Sequence, residues 1–232
     1  MRVHVAFTPD EAAEAPTGLV IDVIRATSTI CQALASGYEH VYCAAEVEEA
    51  RTLAAGIEDA VLGGERKAVR IPGFDLGNSP AEYVEPRARS VVMSTTNGTR
   101  AIVTAARRCE RVLIASLLNL DAVVAAAAGH GEDVAVFCAG VQGAFTLDDA
   151  YVAGRIAELL DGASSDAAEA AIRLSRSFAS AEQAFQLSHS GRNLHVAGLD
   201  ADIVWCARES VLDVVPRFTG MFGAAAAISL PG

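Results

Sequence analysis

The stretch VIDVIRATST, Val20 to Thr29, carries the first residues able to do chemistry. An apolar run stops on a carboxylate, Asp22; Arg25 follows, and then three hydroxyl residues, Thr27, Ser28 and Thr29. An ionised acid at the end of an apolar run is costly unless a cation or a metal meets it. Comparable groups recur further along. GGER supplies Glu65 and Arg66, STTNGTR supplies Thr96, Asn97, Gly98, Thr99 and Arg100, and CAGVQGAFTLDD supplies Asp148 and Asp149. Ser116 and Asn119 follow another apolar run. Acids of this kind suit Mg2+, which takes one or two carboxylates plus ligand oxygens and keeps several waters. Arginines and the free N–H groups of helix N-termini suit an oxyanion. Phosphoryl transfer is the chemistry that needs both, because metal and arginines neutralise charge in its transition state.

These groups need elements that bring them together. Short β-branched runs predict strands at Val3–Phe7, Leu19–Val23, His40–Cys43, Ala60–Gly63, Ser90–Ser94, Arg111–Ala115 and Asp133–Cys138. Helical patterns fall at Thr27–Ser36, Val47–Ala55, Gly98–Arg107, Leu120–Ala128 and Leu147–Leu160. Two more follow at Ala167–Phe178 and Ala181–Ser188, and Val211–Val215 reads as a final edge strand ended by Pro216. Such alternation predicts an α/β fold with a largely parallel sheet and helices on both faces. In such a sheet ligands bind outside the carboxyl ends of the strands, where every group named above falls. No linker or repeat divides the chain, so residues 1–232 read as a single domain. One stretch, RIPGFDLGNSPAEYVEP, fits neither periodicity; a loop that long in a compact domain is usually functional.

Composition narrows the partners. The net charge is −11, with no basic run or stripe, which argues against a nucleic-acid binder but leaves room for a small anion in a local positive pocket. Five cysteines are widely spaced with no Cys-x-x-Cys pair, as buried free thiols in a reducing compartment would be. The N-terminus reads as no signal peptide, and the alanine-rich runs fall short of a membrane span. A cytoplasmic protein without membrane contact is expected; a homo-oligomer is compatible with the sequence.

Each signal has a plainer local explanation. Thr27 and Asn97 match helix N-caps, and Thr146-x-x-Asp149 matches a capping box, which gives Asp149 a structural as well as a catalytic reading. Arg100 reads equally as a solvated helix arginine paired with a nearby acid. The five histidines form no spaced cluster and receive no catalytic role. Several phosphate-handling motifs are absent: no Asp-x-Asp follows the first acid, no arginine completes a Cys-x5-Arg after Cys138, and no P-loop occurs. The coincidence of acids and cations across several loops favours the functional reading.

Taken in order, IDVIRATSTI, GGER, IPGFDLGNSPAEY, STTNGTRAI, CAGVQGAFTLDDAYVAG and LDADIVWCA resemble the 2-phosphosulfolactate phosphatase family from about Leu19 to Cys206. The resemblance implies a three-layer α/β/α fold with a largely parallel or mixed central sheet. It also implies Mg2+-dependent hydrolysis of 2-phospho-3-sulfolactate to sulfolactate and phosphate, a step of coenzyme M biosynthesis. Asp148 stands where the family favours glutamate. The expected catalytic residues are Asp22, Arg25, Arg100 and Asp149, with Asp22, Asp148 and Asp149 as metal ligands. Substrate contacts are expected from Thr27, Ser28, Thr29, Glu65, Arg66, Asp75, Asn78, Ser79, Thr96, Asn97, Gly98 and Thr99, the long loop closing over the ligand. Two alternatives stay open: a non-catalytic binder of a small anionic metabolite, and a phosphatase for another phosphate monoester.

Overall fold

The computed structural model describes residues 1–231; the side chain of Thr96 lies outside the described set. The first strands are β1 (Arg2–Ala6) and β2 (Thr17–Ile21), followed by helix α1 (Ala26–Ala35), β3 (His40–Ala44) and α2 (Val47–Ala55). A hairpin of β4 (Ala60–Arg66) and β5 (Val69–Arg70) precedes the long loop, and β6 (Ser90–Ser94) leads into α3 (Thr96–Ala106). Next come β7 (Arg111–Ala115), α4 (Leu120–Ala128), β8 (Val134–Cys138), α5 (Leu147–Leu160) and the short β9 (Ala163–Ser164). Four helices then run in succession: α6 (Asp166–Arg176), α7 (Ala181–Leu187), α8 (His189–Val196) and α9 (Asp200–Cys206). A closing hairpin is formed by β10 (Arg217–Phe222) and β11 (Ala225–Ser229).

The strand order is β5-β4-β6-β3-β11-β10-β7-β2-β8-β1-β9. Alternate residues of the strands face opposite cores, as the two-residue period requires. Val20, Ile114, Ala135 and Phe137 point to α1 and α3, while Leu19, Ile21, Leu113 and Val136 point to the α4–α7 side. On the β6 side, Val91 and Met93 join the α1/α3 core and Val92 packs under α2. Helices therefore cover both faces of a mostly parallel sheet in three α/β/α layers.

Two parallel blocks, β4-β6-β3 and β7-β2-β8-β1, are joined by the β10–β11 hairpin. Three antiparallel pairings lie between β3 and β7, so the blocks run in opposite senses along the ladder. Both nevertheless deliver strand ends to one cavity, so the ladder is not flat. Pairing is thinnest at the β10–β7 junction, where Arg217 pairs with Leu113. Helix α3 packs against β2, β7 and β8 of one block and against β3 and β11 next to the other.

One sequence expectation is corrected by the topology. Val211–Val215 forms no strand; the true strand starts after Pro216 and lies in the middle of the sheet rather than at its edge. The long loop is packed into the fold. Phe74, Leu76 and Tyr83 are buried in it, and the Tyr83 hydroxyl donates to the Gly77 carbonyl at 2.7 Å.

Candidate active site

Register brings the chemistry together. Ile21 pairs with Cys138 of β8 and with Ala115 of β7, and the Ala139 N–H donates to the Ile21 carbonyl at 2.8 Å. Asp22 is thereby set beside the turn at Gly140 that leads to α5. In the other block Gly64 and Ala44 both pair with Ser94, which aligns Glu65 and Arg66 with the start of α3. Between these ends lies a cavity of about 670 Å3. Asp22, Arg25, Glu65, Arg66, Asn78, Thr95 and Asn97 line it, together with Lys67 and the α8 residues His189, Ser190 and Asn193.

Acids gather at its base: Asp22 and Glu65 line the cavity, and Asp148 and Asp149 are buried within electrostatic reach of Asp22. Asp22 is half-buried and its carboxyl is pushed up to about 7, by burial first and then by the charges of Asp148 and Glu65. Asp148 is 1% exposed, and burial raises its carboxyl while the Ser190 hydroxyl works the other way. Among the described residues its Oδ1 has no hydrogen-bond partner. A buried carboxylate oxygen left without a donor is costly and calls for a proton or a cation. Asp149 differs: Oδ1 accepts the Val23 N–H at 2.9 Å and Oδ2 accepts the Gly140 N–H at 3.0 Å. Burial, then Asp148 and Asp22, push its carboxyl well up.

Cations and helix ends form the walls. The Arg66 guanidinium donates to the carbonyls of Glu65 (2.8 Å), Ser94 (3.3 Å) and Ala45 (2.9 Å) and to Ser94 Oγ (3.0 Å). All of these acceptors are neutral, so its charge stays available to an anion. Arg25 is 5% exposed; it pairs with Asp202 at 2.6 Å and donates to the Ala68 carbonyl at 2.9 Å. The N-terminus of α3 closes on Asp22: a Cβ placed on Gly98 would lie 2.9 Å from Ala26 Cβ and 3.0 Å from Asp22 Oδ2. Only glycine permits that approach.

Several expected contacts have other jobs. Arg100 does not line the cavity; it is exposed and pairs with Asp10 at 2.5 Å. A residue five positions into α3 has turned away from the helix end, leaving solvent and a nearby acid as its partners. Asp75 is exposed, and its Oδ2 accepts the Leu62 N–H at 2.9 Å, fastening the loop to β4. Thr27 Oγ1 accepts the Asp22 N–H, Ser28 donates to the Val23 carbonyl and Thr29 donates to the Asn78 carbonyl. All three hydroxyls are buried and committed to the backbone, so they shape the Asp22–Arg25 turn. Ser79 donates to Asp202 at 2.5 Å, and Thr99 sits 3.4 Å from Thr95, oxygen to oxygen. Thr96 Oγ1 lies outside the described residues. His189, which sequence reasoning passed over, faces the cavity from α8. Its only sequence signal was Ser188, whose hydroxyl caps α8 by accepting the Gly191 N–H at 2.8 Å.

Mg2+ can be tested against these residues. Among the described residues no group of three His, Cys, Asp or Glu side chains converges into a ready metal cage. Mg2+ needs fewer: Asp22 and the unpartnered Asp148 Oδ1 fit as a carboxylate pair, with ligand oxygens and water completing the shell. Asp149, with both oxygens on backbone N–H groups, fits a clamp between β2 and the Gly140 turn better than a ligand.

Fold and site together define an α/β/α protein with an acid floor and cationic walls, the equipment of a phosphoric monoester hydrolase. The family model described as 2-phosphosulpholactate phosphatase matches residues 5–220. The chain therefore belongs to the 2-phosphosulfolactate phosphatase family. A protein of Thermus thermophilus named probable 2-phosphosulfolactate phosphatase is 41% identical over 97% of this chain and 98% of its own. Proteins of the same name from Symbiobacterium thermophilum and Deinococcus radiodurans are 42% and 38% identical. Each alignment covers 93% of this chain, with 96% and 92% of the relatives' own lengths. No described helix is long and apolar enough to cross a membrane.

Proposed function

We propose that the chain is a Mg2+-dependent phosphatase acting on 2-phospho-3-sulfolactate, with sulfolactate and phosphate as products. The observation that carries this reading is one cavity that pairs the carboxylate of Asp22 with cationic walls, the unpartnered Asp148 Oδ1 being buried within electrostatic reach of Asp22. The substrate has phosphate, sulfonate and carboxylate on three carbons, and it needs positive groups on more than one side.

Asp22 and Asp148 would hold Mg2+, which supplies positive charge against the phosphoryl oxygens. Arg66 keeps a guanidinium without a carboxylate partner, and Arg25 and Lys67 add donors on the same wall. Asn97, at the first turn of α3, adds an amide beside the positive end of that helix. Asn78, 4% exposed, also lines the cavity, and its amide N–H groups are donors suited to an oxyanion. Leu194 and Val196 of α8, with Ala197 just after it, form an apolar side of the cavity. These residues bind and orient a polyanion, and the N–H groups of the arginines stabilise charge that builds on the phosphoryl group.

The five cysteines are free, and we assign the protein to the reducing cytoplasm on that ground. The resemblance would place the reaction in coenzyme M biosynthesis. A phosphate-release screen tests the substrate: 2-phospho-3-sulfolactate, phosphoglycerate, glycerol phosphate and p-nitrophenyl phosphate, each with Mg2+ and with EDTA. The expected result is a kcat/KM preference for 2-phospho-3-sulfolactate that EDTA removes. A higher kcat/KM for glycerol phosphate would replace this substrate with another monoester, and no release from any compound would turn the reading toward a non-catalytic binder.

A further inference from the structure

We infer that Asp202 and Ser79 are positioning residues that fix the Arg25 guanidinium at the cavity wall; this rests on the phosphatase reading above. Arg25 and Asp202 have side chains only 4% and 7% exposed. The Arg25 Nη1 donates to Asp202 Oδ2 at 2.6 Å, and the Ser79 hydroxyl donates to Asp202 Oδ1 at 2.5 Å. Both carboxylate oxygens are thus engaged, one by the arginine and one by the serine, so the carboxylate cannot rotate freely. The second arginine arm, Nη2, donates to the Ala68 carbonyl at the tip of the β4–β5 hairpin, 2.9 Å away.

Three segments converge on the Arg25–Asp202 pair: α9 through Asp202, the middle of the long loop through Ser79, and the hairpin tip through Ala68. A guanidinium carries five N–H donors. The ties use two of them, and the others remain for the cavity that Arg25 lines. Burying an ion pair costs desolvation that offsets most of its attraction, so stability is a weak reason for this one. Orientation is a better reason. A free arginine must lose rotamer freedom when it meets an anion, and a tied one has already lost it. Arg25 directly precedes α1, three residues after Asp22, so the same ties also set the distance between cation and acid in the cavity.

The test is a double-mutant cycle on kcat and KM for the best phosphate ester, using Arg25→Ala, Asp202→Asn, Ser79→Ala and Arg25→Ala combined with each of the other two. Circular dichroism and thermal unfolding confirm that each variant folds. Arg25→Ala should lower kcat/KM by about 10²–10³-fold, the loss typical of one charge-stabilising donor. Asp202→Asn should lower it by about 10–100-fold, and Ser79→Ala by a smaller factor, because each acts through the arginine. In the Arg25→Ala background both should lose their effect, leaving the double variants within about 3-fold of Arg25→Ala. A merely structural tie would instead lower the double variants by the product of the single losses, which would overturn the inference. So would an Asp202→Asn enzyme within about 2-fold of wild type. If Asp202→Asn does not fold, the Ser79→Ala cycle decides alone by the same criterion. If wild type releases no phosphate, the phosphatase reading fails separately, and calorimetric titration with inorganic phosphate reads the same cycle as affinities. Equal phosphate affinity in wild type and Asp202→Asn would then overturn the positioning role.

Discussion

Arg25 and Arg100 look alike in the sequence, each a cation beside a strand end where a helix begins, yet the fold treats them oppositely. Arg25 is the residue before α1 and is buried at the cavity, tied to Asp202 and Ala68. Arg100 is the fifth residue of α3, about 7 Å further along the axis at 1.5 Å per residue, and its side chain is 53% exposed. The helix N-terminus faces the site, but only its first residues do: Asn97 lines the cavity and Gly98 lets the backbone approach Asp22. Position within the first turn, more than charge, decides which arginine lines the cavity.

The comparison can be broken or sharpened by substitution. The largest effect is expected at the acid both helix ends face: Asp22→Asn keeps the shape and removes the charge, and should lower kcat on the order of 10³-fold with the fold intact. Steady-state phosphate release and circular dichroism check both halves of that statement. Arg25→Ala comes next, at about 10²–10³-fold, with Arg25→Lys recovering only part because an ammonium lacks the planar fork.

A smaller effect lies in stability against pH. The Asp22 carboxyl sits at about 7 in the folded chain, against an ordinary value near 3.9 when unfolded. The folded state therefore holds that proton more tightly, and this contribution to stability is present below about pH 4 and is lost as pH rises through 7. Without metal, thermal unfolding should show a lower Tm at pH 8 than at pH 5.5, and Asp22→Asn should flatten the difference. A wild-type Tm that rises from pH 5.5 to 8 with the same slope in Asp22→Asn would contradict the strained acid floor. The smallest effect belongs to Arg100: Arg100→Ala should change kcat/KM by less than about 3-fold, as exposed ion pairs are worth roughly 0–1 kcal/mol. A loss matching that of Arg25→Ala would erase the distinction between the two helix ends.

Much of the fold was legible because the first two thirds of the chain are punctuated clearly. Val47–Ala55, Leu120–Ala128 and Leu147–Leu160 are helices at the residues their periodicity indicates, and Ser90–Ser94 and Arg111–Ala115 are strands. The end of the chain was harder. The stretch Ala224–Ala227 has helical composition, but burial beside Tyr42 and Cys43 makes most of it a central strand. Tertiary context overrides propensity there. In the site, Asp22, Arg25, Glu65, Arg66 and Asn97 were found from strand ends, Asn78 from the long loop and the resemblance, and all fall on the cavity. What escaped was the wall from α8: His189, Ser190 and Asn193 come from a weakly periodic polar segment far along the chain. Its approach to the acids depends on the packing of α7, α8 and α9. Nor could the sequence tell that the hydroxyls of Thr27, Ser28 and Thr29 turn to backbone partners, since capping and ligand binding draw on the same residue types.

Phosphate release from 2-phospho-3-sulfolactate across a Mg2+ titration, in wild type and Asp148→Asn, tests most directly whether the acid floor holds the metal for hydrolysis. The unpartnered Asp148 Oδ1 predicts that wild type loses its activity in EDTA and regains it with saturable Mg2+. Asp148→Asn should need at least about 10-fold more Mg2+ for half its maximal rate, or have no measurable rate. Full wild-type activity in EDTA, or one Mg2+ dependence shared by both proteins, would contradict it.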